Sequence, residues 1–268
     1  MNVLLTNDDG IENVGILMFA EQLASMCNLW VCAPYEQQSS TSHAISGGRQ
    51  LKVREHSING VKQAWSVEGK PADCVKIAMS TLVEAPIDLV ISGINDMSNY
   101  GTDIFYSGTV AAAVEGAMRE LPAFAFSIVY RKELHDRFQW ETACKVACDL
   151  VGRHICGSLP IPSTSVLNVN IPSLPFDELK GYKLVRLGAQ GNASFPLYER
   201  AEAQDEGGDG NADDDGVYYR SVGGRDRVFK DKDPEQDIVV VFDGYVSLTP
   251  LLFDRTDYKQ MEELKRFF

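Results

Sequence analysis

Two adjacent carboxylates, Asp8 and Asp9, stand directly after the apolar run Asn2-Val3-Leu4-Leu5-Thr6, between Asn7 and Gly10. The end of a buried strand reaches the carboxyl edge of a sheet, where open α/β folds bind their ligands. Neighbouring anions there repel one another and lose hydration, and a cation relieves both costs. Their hard oxygen atoms suit Mg²⁺ or Mn²⁺. A plain helix cap at Asp8 with Asp9 solvated is the ordinary alternative, so the weight falls on what else reaches that edge. Ser39-Ser40-Thr41-Ser42 follows the apolar run 29–34, Asn95 closes Ser92-Gly93-Ile94-Asn95 after the run 88–91, and Ser107-Gly108-Thr109 opens an alanine-rich stretch. Taken singly these are a loop, a turn and a cap. Gathered on one edge they supply hydroxyls, an amide oxygen and helix-start N–H groups, a set suited to a metal and a phosphate.

The elements that must carry these residues are readable from periodicity. Ile16, Ala20, Leu23, Ala24 and Cys27 recur at helical spacing between the first strand and the strand at 29–34, which makes a βαβ beginning. Pro71 suits a helix start, with an apolar helical stretch over 74–83, and strands follow at 88–91 and 123–129. Val110-Ala111-Ala112-Ala113-Val114 has almost no polar face, which predicts a helix buried beside the site. An amphipathic helix with Ala143, Val146, Ala147, Leu150 and Val151 on one side precedes a strand at 166–172. Strands alternating with helices predict an α/β fold with a mostly parallel sheet covered on both faces. The clear α/β pattern ends there, so the chain divides into a core of residues 1–175 and a C-terminal extension of residues 176–268. Within the extension, residues 199–237 are acidic and glycine-interrupted, including Glu202, Asp205, Glu206, Asp209 and Asp213-Asp214-Asp215. No calcium-loop pattern is present, which predicts a flexible acidic arm. Order returns at Ile238-Val239-Val240-Val241 and at Gly244-Tyr245-Val246-Ser247-Leu248-Thr249-Pro250, and a last helix carries Tyr258, Met261, Leu264 and Phe268 as an apolar stripe. Such a stripe must dock on its own core or on another subunit.

A chain of 268 residues with 44% hydrophobic content can bury a large core. Its formal charge of -13 opposes binding to duplex nucleic acid or an anionic membrane surface. A small anionic substrate stays compatible where a metal or backbone amides reverse the field locally. The six cysteines form no C-x-x-C pair, the N-terminus shows no leader-like segment, and no apolar run reaches membrane-spanning length. A cytoplasmic location is the expectation. Among four histidines none has ligand spacing, and His43, next to the Ser39 loop, is the one candidate for proton transfer.

Six stretches, 4–10 (LLTNDDG), 33–34 with Ser39 and Ser42, 71–75 (PADCV), 92–95 (SGIN), 106–116 (YSGTVAAAVEG) and 244–250 (GYVSLTP), resemble in order and spacing the SurE family of nucleotidases and phosphatases. That resemblance spans most of the chain. It implies a Rossmann-like core, a C-terminal β-arm and helix exchanged between subunits of a homodimer or homotetramer, and a divalent-metal-dependent phosphomonoesterase acting on nucleoside 5′- or 3′-monophosphates. Carried over by position, the metal ligands fall on Asp8, Asp9, Ser39 and Asn95, and the phosphate surroundings on Asn99, Ser107, Gly108 and Thr109. Asp8 and Asp9 are the catalytic candidates, each open as base or nucleophile. Three departures touch the rim: Asn13-Val14 replaces Ala-Pro before Gly15, Lys70 replaces a small residue before Pro71, and Asp96-Met97-Ser98 replaces a glycine-containing linker. Lys70 is either a cation for a more anionic substrate or an ordinary exposed lysine. The alternatives are a phosphatase of another small metabolite and a non-catalytic metal- or nucleotide-binding regulator, the latter opposed by the intact donor set.

Overall fold

The computed structural model describes residues 1–130, 138–189, 197–201, 216–222 and 233–268. In β1 (Asn2–Thr6), Val3 and Leu5 belong to one apolar cluster and Leu4 to another, all with no exposure. Successive strand residues point to opposite faces, so both faces of the sheet must be covered. On one face lie α1 (Val14–Leu23) and α4 (Trp140–Ile155), and on the other α2 (Pro71–Ile77) and α3 (Gly108–Ala117).

Six strands run parallel: β4 (Gln63–Val67), β2 (Asn28–Pro34), β1, β5 (Leu89–Asn95), β6 (Ala123–Val129) and β7 (Ser165–Pro172). One edge is extended by β3 (Val53–His56), antiparallel to β4. The other adds β11 (Val246–Leu252), antiparallel to β7, and then β8 (Tyr182–Leu184). From β1 the chain proceeds to β2 on one side and later to β5 on the other, and this reversal opens a crevice at the carboxyl ends of those strands. The expected mostly parallel sheet with helices on both faces is the observed one. Residues 176–268 contribute β8 and β11 to that same sheet.

Several elements depart from the periodicity reading. Strand β5 runs on to Asn95, past Ile91, through a bulge between Ser92 and Asn95. Gly93 makes this possible, because its φ is +129° and a Cβ there would sit 2.4 Å from the Phe126 carbonyl. The segment Ile238-Val239-Val240-Val241 forms a helix, α5 (Asp237–Phe242), despite its β-branched composition. Ile238 and Val241, one turn apart, pack on Tyr100 and Val129, and the buried Asp237 carboxylate accepts N–H bonds from Gly101, Gly188 and Ile238 at 2.9, 2.8 and 2.7 Å. Tertiary contact there overrides propensity. Strands β3 and β8 escape periodicity because they are short, half-exposed edge strands.

Further along, β9 (Leu197–Ala201) and β10 (Tyr218–Val222) pair as an antiparallel ribbon. The acidic residues expected to form an arm, Glu202 through Asp215, lie outside the described residues. The last helix, α6 (Tyr258–Leu264), does form, and its stripe is not docked on the core: Tyr258 is 59%, Met261 41% and Leu264 45% exposed.

Candidate functional site

The turn after β1 is closed by the buried Asn7, whose amide nitrogen donates to the Gly10 carbonyl at 2.8 Å and whose oxygen accepts the Gly10 N–H at 3.2 Å. Gly10 has φ +99°, a conformation an L side chain resists. Asp8 and Asp9 are thereby displayed at the crevice. The Thr109 hydroxyl donates to Asp8 Oδ1 at 2.6 Å, and Gly108 lets α3 approach so closely that a Cβ would lie 2.8 Å from the Asp8 Cβ. Asp9 is held more loosely, by Gln37 Nε2 and the Asp96 N–H, each at 3.4 Å. Burial pushes Asp8 up to about 6 against the pull of the Thr109 bond. Burial, then the charges of Asp8 and Asp96, push Asp9 up to about 7. Among the described residues no cationic side chain pairs with either carboxylate.

The β5 bulge delivers Asn95 to the same place. Its amide nitrogen donates to the Met97 carbonyl at 2.7 Å, which leaves Oδ1 as the acceptor. The loop after β2 is drawn over the crevice by the Gln38 N–H on the Asp8 carbonyl at 2.7 Å and by Ser42, which donates from its N–H to Tyr106 at 2.9 Å and from its hydroxyl to Phe105 at 2.6 Å. Lys70 Nζ donates to Gln38 Oε1 at 2.7 Å, so this departure from the family pattern braces the loop. Asn13 accepts the Gly15 N–H at 2.7 Å as the N-cap of α1, which accounts for that departure as a helix end. His43 does not reach the carboxylate pair: its Nε2 lies 3.0 Å from Oε1 of the buried Glu115, which Lys76 also approaches, at 3.8 Å. It pins the loop to α3 rather than serving a proton relay at Asp8.

A cavity of about 180 Å³ is lined by Asp8, Ser39, Asn95, Asn99 and Ser107, together with Asp103 and Tyr106 among others. Ser107 also caps α3, accepting the Val110 N–H at 3.0 Å, so the positive end of the helix faces this cavity. Thr109 is fully buried behind Asp8, and Asp9 stands on the neighbouring side beside Gln37 and Asp96. A wider cavity of about 700 Å³ lies along β8 and β11 and contains none of these donors. Among the described residues no three His, Cys, Asp or Glu side chains converge. The oxygen donors that could hold a cation here are the two carboxylates, the Ser39 hydroxyl and the Asn95 amide oxygen, a set whose chemistry fits a hard divalent ion.

Sequence reasoning missed the residues that hold Asn99. Its N–H donates to Asn170 Oδ1 at 2.9 Å, its carbonyl accepts from Asn168 and Asn170 at 2.7 and 3.0 Å, and its amide donates to Ser127 at 2.8 Å. The signal was present: Asn168-Val169-Asn170 places two amides on one face of an otherwise apolar strand. Gln37, which bonds Asp9, carried no comparable pattern, and Asp96, its other partner, stood out only as part of the altered 96–98 linker.

The family described as Survival protein SurE matches residues 3–194. A protein of Clostridium botulinum (strain Alaska E43 / Type E3) named 5′-nucleotidase SurE is 39% identical over 272 residues, covering 100% of both chains. One of the same name from Stenotrophomonas maltophilia (strain K279a) is 36% identical over 265 residues, covering 98% of this chain and 94% of that one. The crystal structure of the SurE protein from Aquifex aeolicus matches with a TM-score of 0.80 at 33% identity, over 100% of this chain and 99% of the other. Sequence and fold agree from end to end, and this chain belongs to the SurE family.

Proposed function

We propose that the protein is a divalent-metal-dependent 5′-nucleotidase, hydrolysing nucleoside monophosphates to nucleoside and phosphate. The observation that carries this is the convergence of two crowded, buried carboxylates with Asn95 and Ser39 at the N-terminal end of α3. The substrate class follows the relatives named 5′-nucleotidase. Asp8, Asp9, Ser39 and Asn95 would hold Mg²⁺ or Mn²⁺, which when bound offsets the paired charge and polarises a phosphoryl oxygen. Thr109 fixes the Asp8 carboxylate in one orientation, and the Ser107 hydroxyl and the Gly108 N–H would take up phosphate charge, with Asn99 held as a wall of the same cavity by its bonds to Asn170 and Ser127, an arrangement organised before substrate arrives. Asp8 and Asp9 are the groups placed to accept the proton of the attacking water or to attack phosphorus directly.

Purified protein assayed against 5′- and 3′-monophosphates, sugar phosphates and p-nitrophenyl phosphate tests the reading. Turnover of nucleoside monophosphates should disappear with chelator and return with Mg²⁺ or Mn²⁺. Full activity of metal-stripped protein would overturn the metal dependence, and preference for a non-nucleotide ester would overturn the substrate class.

The uncovered stripe of α6 supports a homodimer or homotetramer in which a second copy buries Tyr258, Met261 and Leu264. All six cysteines are unpaired, which supports the reducing cytoplasm as location. Among the described residues no helix is long and apolar enough to cross a membrane.

A further inference from the structure

Asn168 sits within β7 with no exposure, opposite Ala125 on β6 and Thr249 on β11. The face it shares includes Val166, Ala125 and Leu251, all members of the apolar cluster that α3 covers. An amide buried there is costly unless both its ends are bonded. Only one end is. Its Nδ2 donates to the Asn99 carbonyl at 2.7 Å, whereas Oδ1 is buried with no partner among the described residues.

The bond that Asn168 makes is not needed to satisfy that carbonyl. Asn170 donates to the same oxygen at 3.0 Å and accepts the Asn99 N–H at 2.9 Å, so the main-chain groups of Asn99 are bonded without Asn168. Stability gives no reason for the amide, because an apolar side chain of equal size would remove the orphaned oxygen and strand no partner. What the second donor adds is restraint on residue 99. The Asn99 side chain donates to Ser127 at 2.8 Å and to Thr109 Oγ1 at 3.4 Å, and that threonine hydroxyl bonds Asp8 Oδ1 at 2.6 Å. Ser98 and Asn99 are walls of the cavity that Asp8 and Ser107 also line, and Asn168 is not.

We propose that Asn168 is a positioning residue for the hydrolysis: from inside the sheet it fixes residue 99, and with it the wall against which the phosphate seats beside Ser107. The inference rests on the nucleotidase reading and extends it to a residue outside the cavity. Misplacing such a wall by about 1 Å is enough to cost on the order of 10²-fold in rate.

Kinetics of Asn168→Leu and Asn168→Ala with AMP and with p-nitrophenyl phosphate test it, alongside thermal melts and calorimetric titration of inorganic phosphate in Mg²⁺. Thr249→Val is the control, a change on the same face at a hydroxyl that is also unpartnered and makes no bond to Asn99. Asn168→Leu should melt no lower than wild type, yet lose about tenfold in kcat/KM on both esters alike and about tenfold in phosphate affinity, with the Mg²⁺ concentration for half-activation unchanged. Asn168→Ala, which cannot clash, should show the same kinetic loss, and Thr249→Val should show none. Wild-type kinetics in either folded Asn168 variant, an equal loss in Thr249→Val, or failure of both Asn168 variants to fold overturns the proposal. If the wild type turns over neither ester, the nucleotidase reading fails, and the titration still decides: phosphate affinity equal in wild type and Asn168→Leu, or absent from both, removes the positioning role.

Discussion

The carboxyl edge of the sheet and the C-terminal helix both hold groups at odds with their surroundings, and in opposite senses. At the edge, folding has buried what water would rather keep: Asp8 and Asp9 are 3% and 9% exposed, and their protonation is pushed up by that burial. At α6, folding has left in water what a core would rather hold, with Tyr258 59% and Leu264 45% exposed. The first misfit is electrostatic and short-ranged, so it names its partner closely: a hard cation of the right charge, seated among oxygen donors. The second is hydrophobic and non-directional, so it asks only for apolar cover, which a symmetric copy supplies most simply.

The sharpest way to break the first half of this contrast is to remove one carboxylate. Asp8→Asn and Asp9→Asn should each lower kcat by about 10³-fold or more at saturating metal, by analogy with the loss of a group that stabilises charge in the transition state. Both variants should melt no lower than wild type in chelator, since each deletes a crowded buried anion. Near-normal kcat would detach that carboxylate from the site. For the second half, truncation before Asp257 followed by light scattering should reduce the oligomer to a smaller species. An unchanged oligomer takes α6 out of the interface, and a monomeric wild type removes the idea of subunit cover.

A pH series sharpens the electrostatic side. Because Asp8 and Asp9 have folded values raised to about 6 and about 7, above an unfolded value near 3.8, their neutral forms are favoured in the folded state. Metal-free stability should be greatest below about pH 4 as far as these two groups contribute, and should decline as pH rises through 7 by several kcal/mol, roughly 3 from Asp8 and roughly 4 from Asp9 taken singly. Chemical denaturation in chelator between pH 4.5 and 7.5 measures this, and Asp9→Asn should flatten the slope. Saturating Mg²⁺ or Mn²⁺ should oppose the decline, since metal binding needs the deprotonated carboxylates. The smallest expected effect is at the rim. Lys70→Thr removes the bond to Gln38 Oε1 and should raise KM for AMP about two- to threefold with kcat unchanged. A tenfold or larger rise confined to substrates with extra negative charge would instead make Lys70 a substrate contact.

Much of the site could be read in one dimension because it sits at strand ends. Asp8 and Asp9 follow β1, Asn95 ends β5 and Ser107 precedes α3, and apolar runs announce those positions without any knowledge of packing. What could not be read was support from a distance. The bonds from Asn170 to Asn99 and from Thr109 to Asp8 span 71 and 101 residues. Nothing local in Thr109 distinguishes a hydroxyl facing phosphate from one turned onto a carboxylate.

Local chemistry in the sequence determined the alternation of strands and helices, the parallel core and the oxygen-donor character of the edge, because burial periodicity and residue type act over a few neighbours. Tertiary structure alone decided that His43 would meet Glu115 rather than the carboxylate pair and that a β-branched run would become α5. Each of these depends on which faces come together across the sheet edge, and contacts between segments far apart in the chain leave no periodic trace in it.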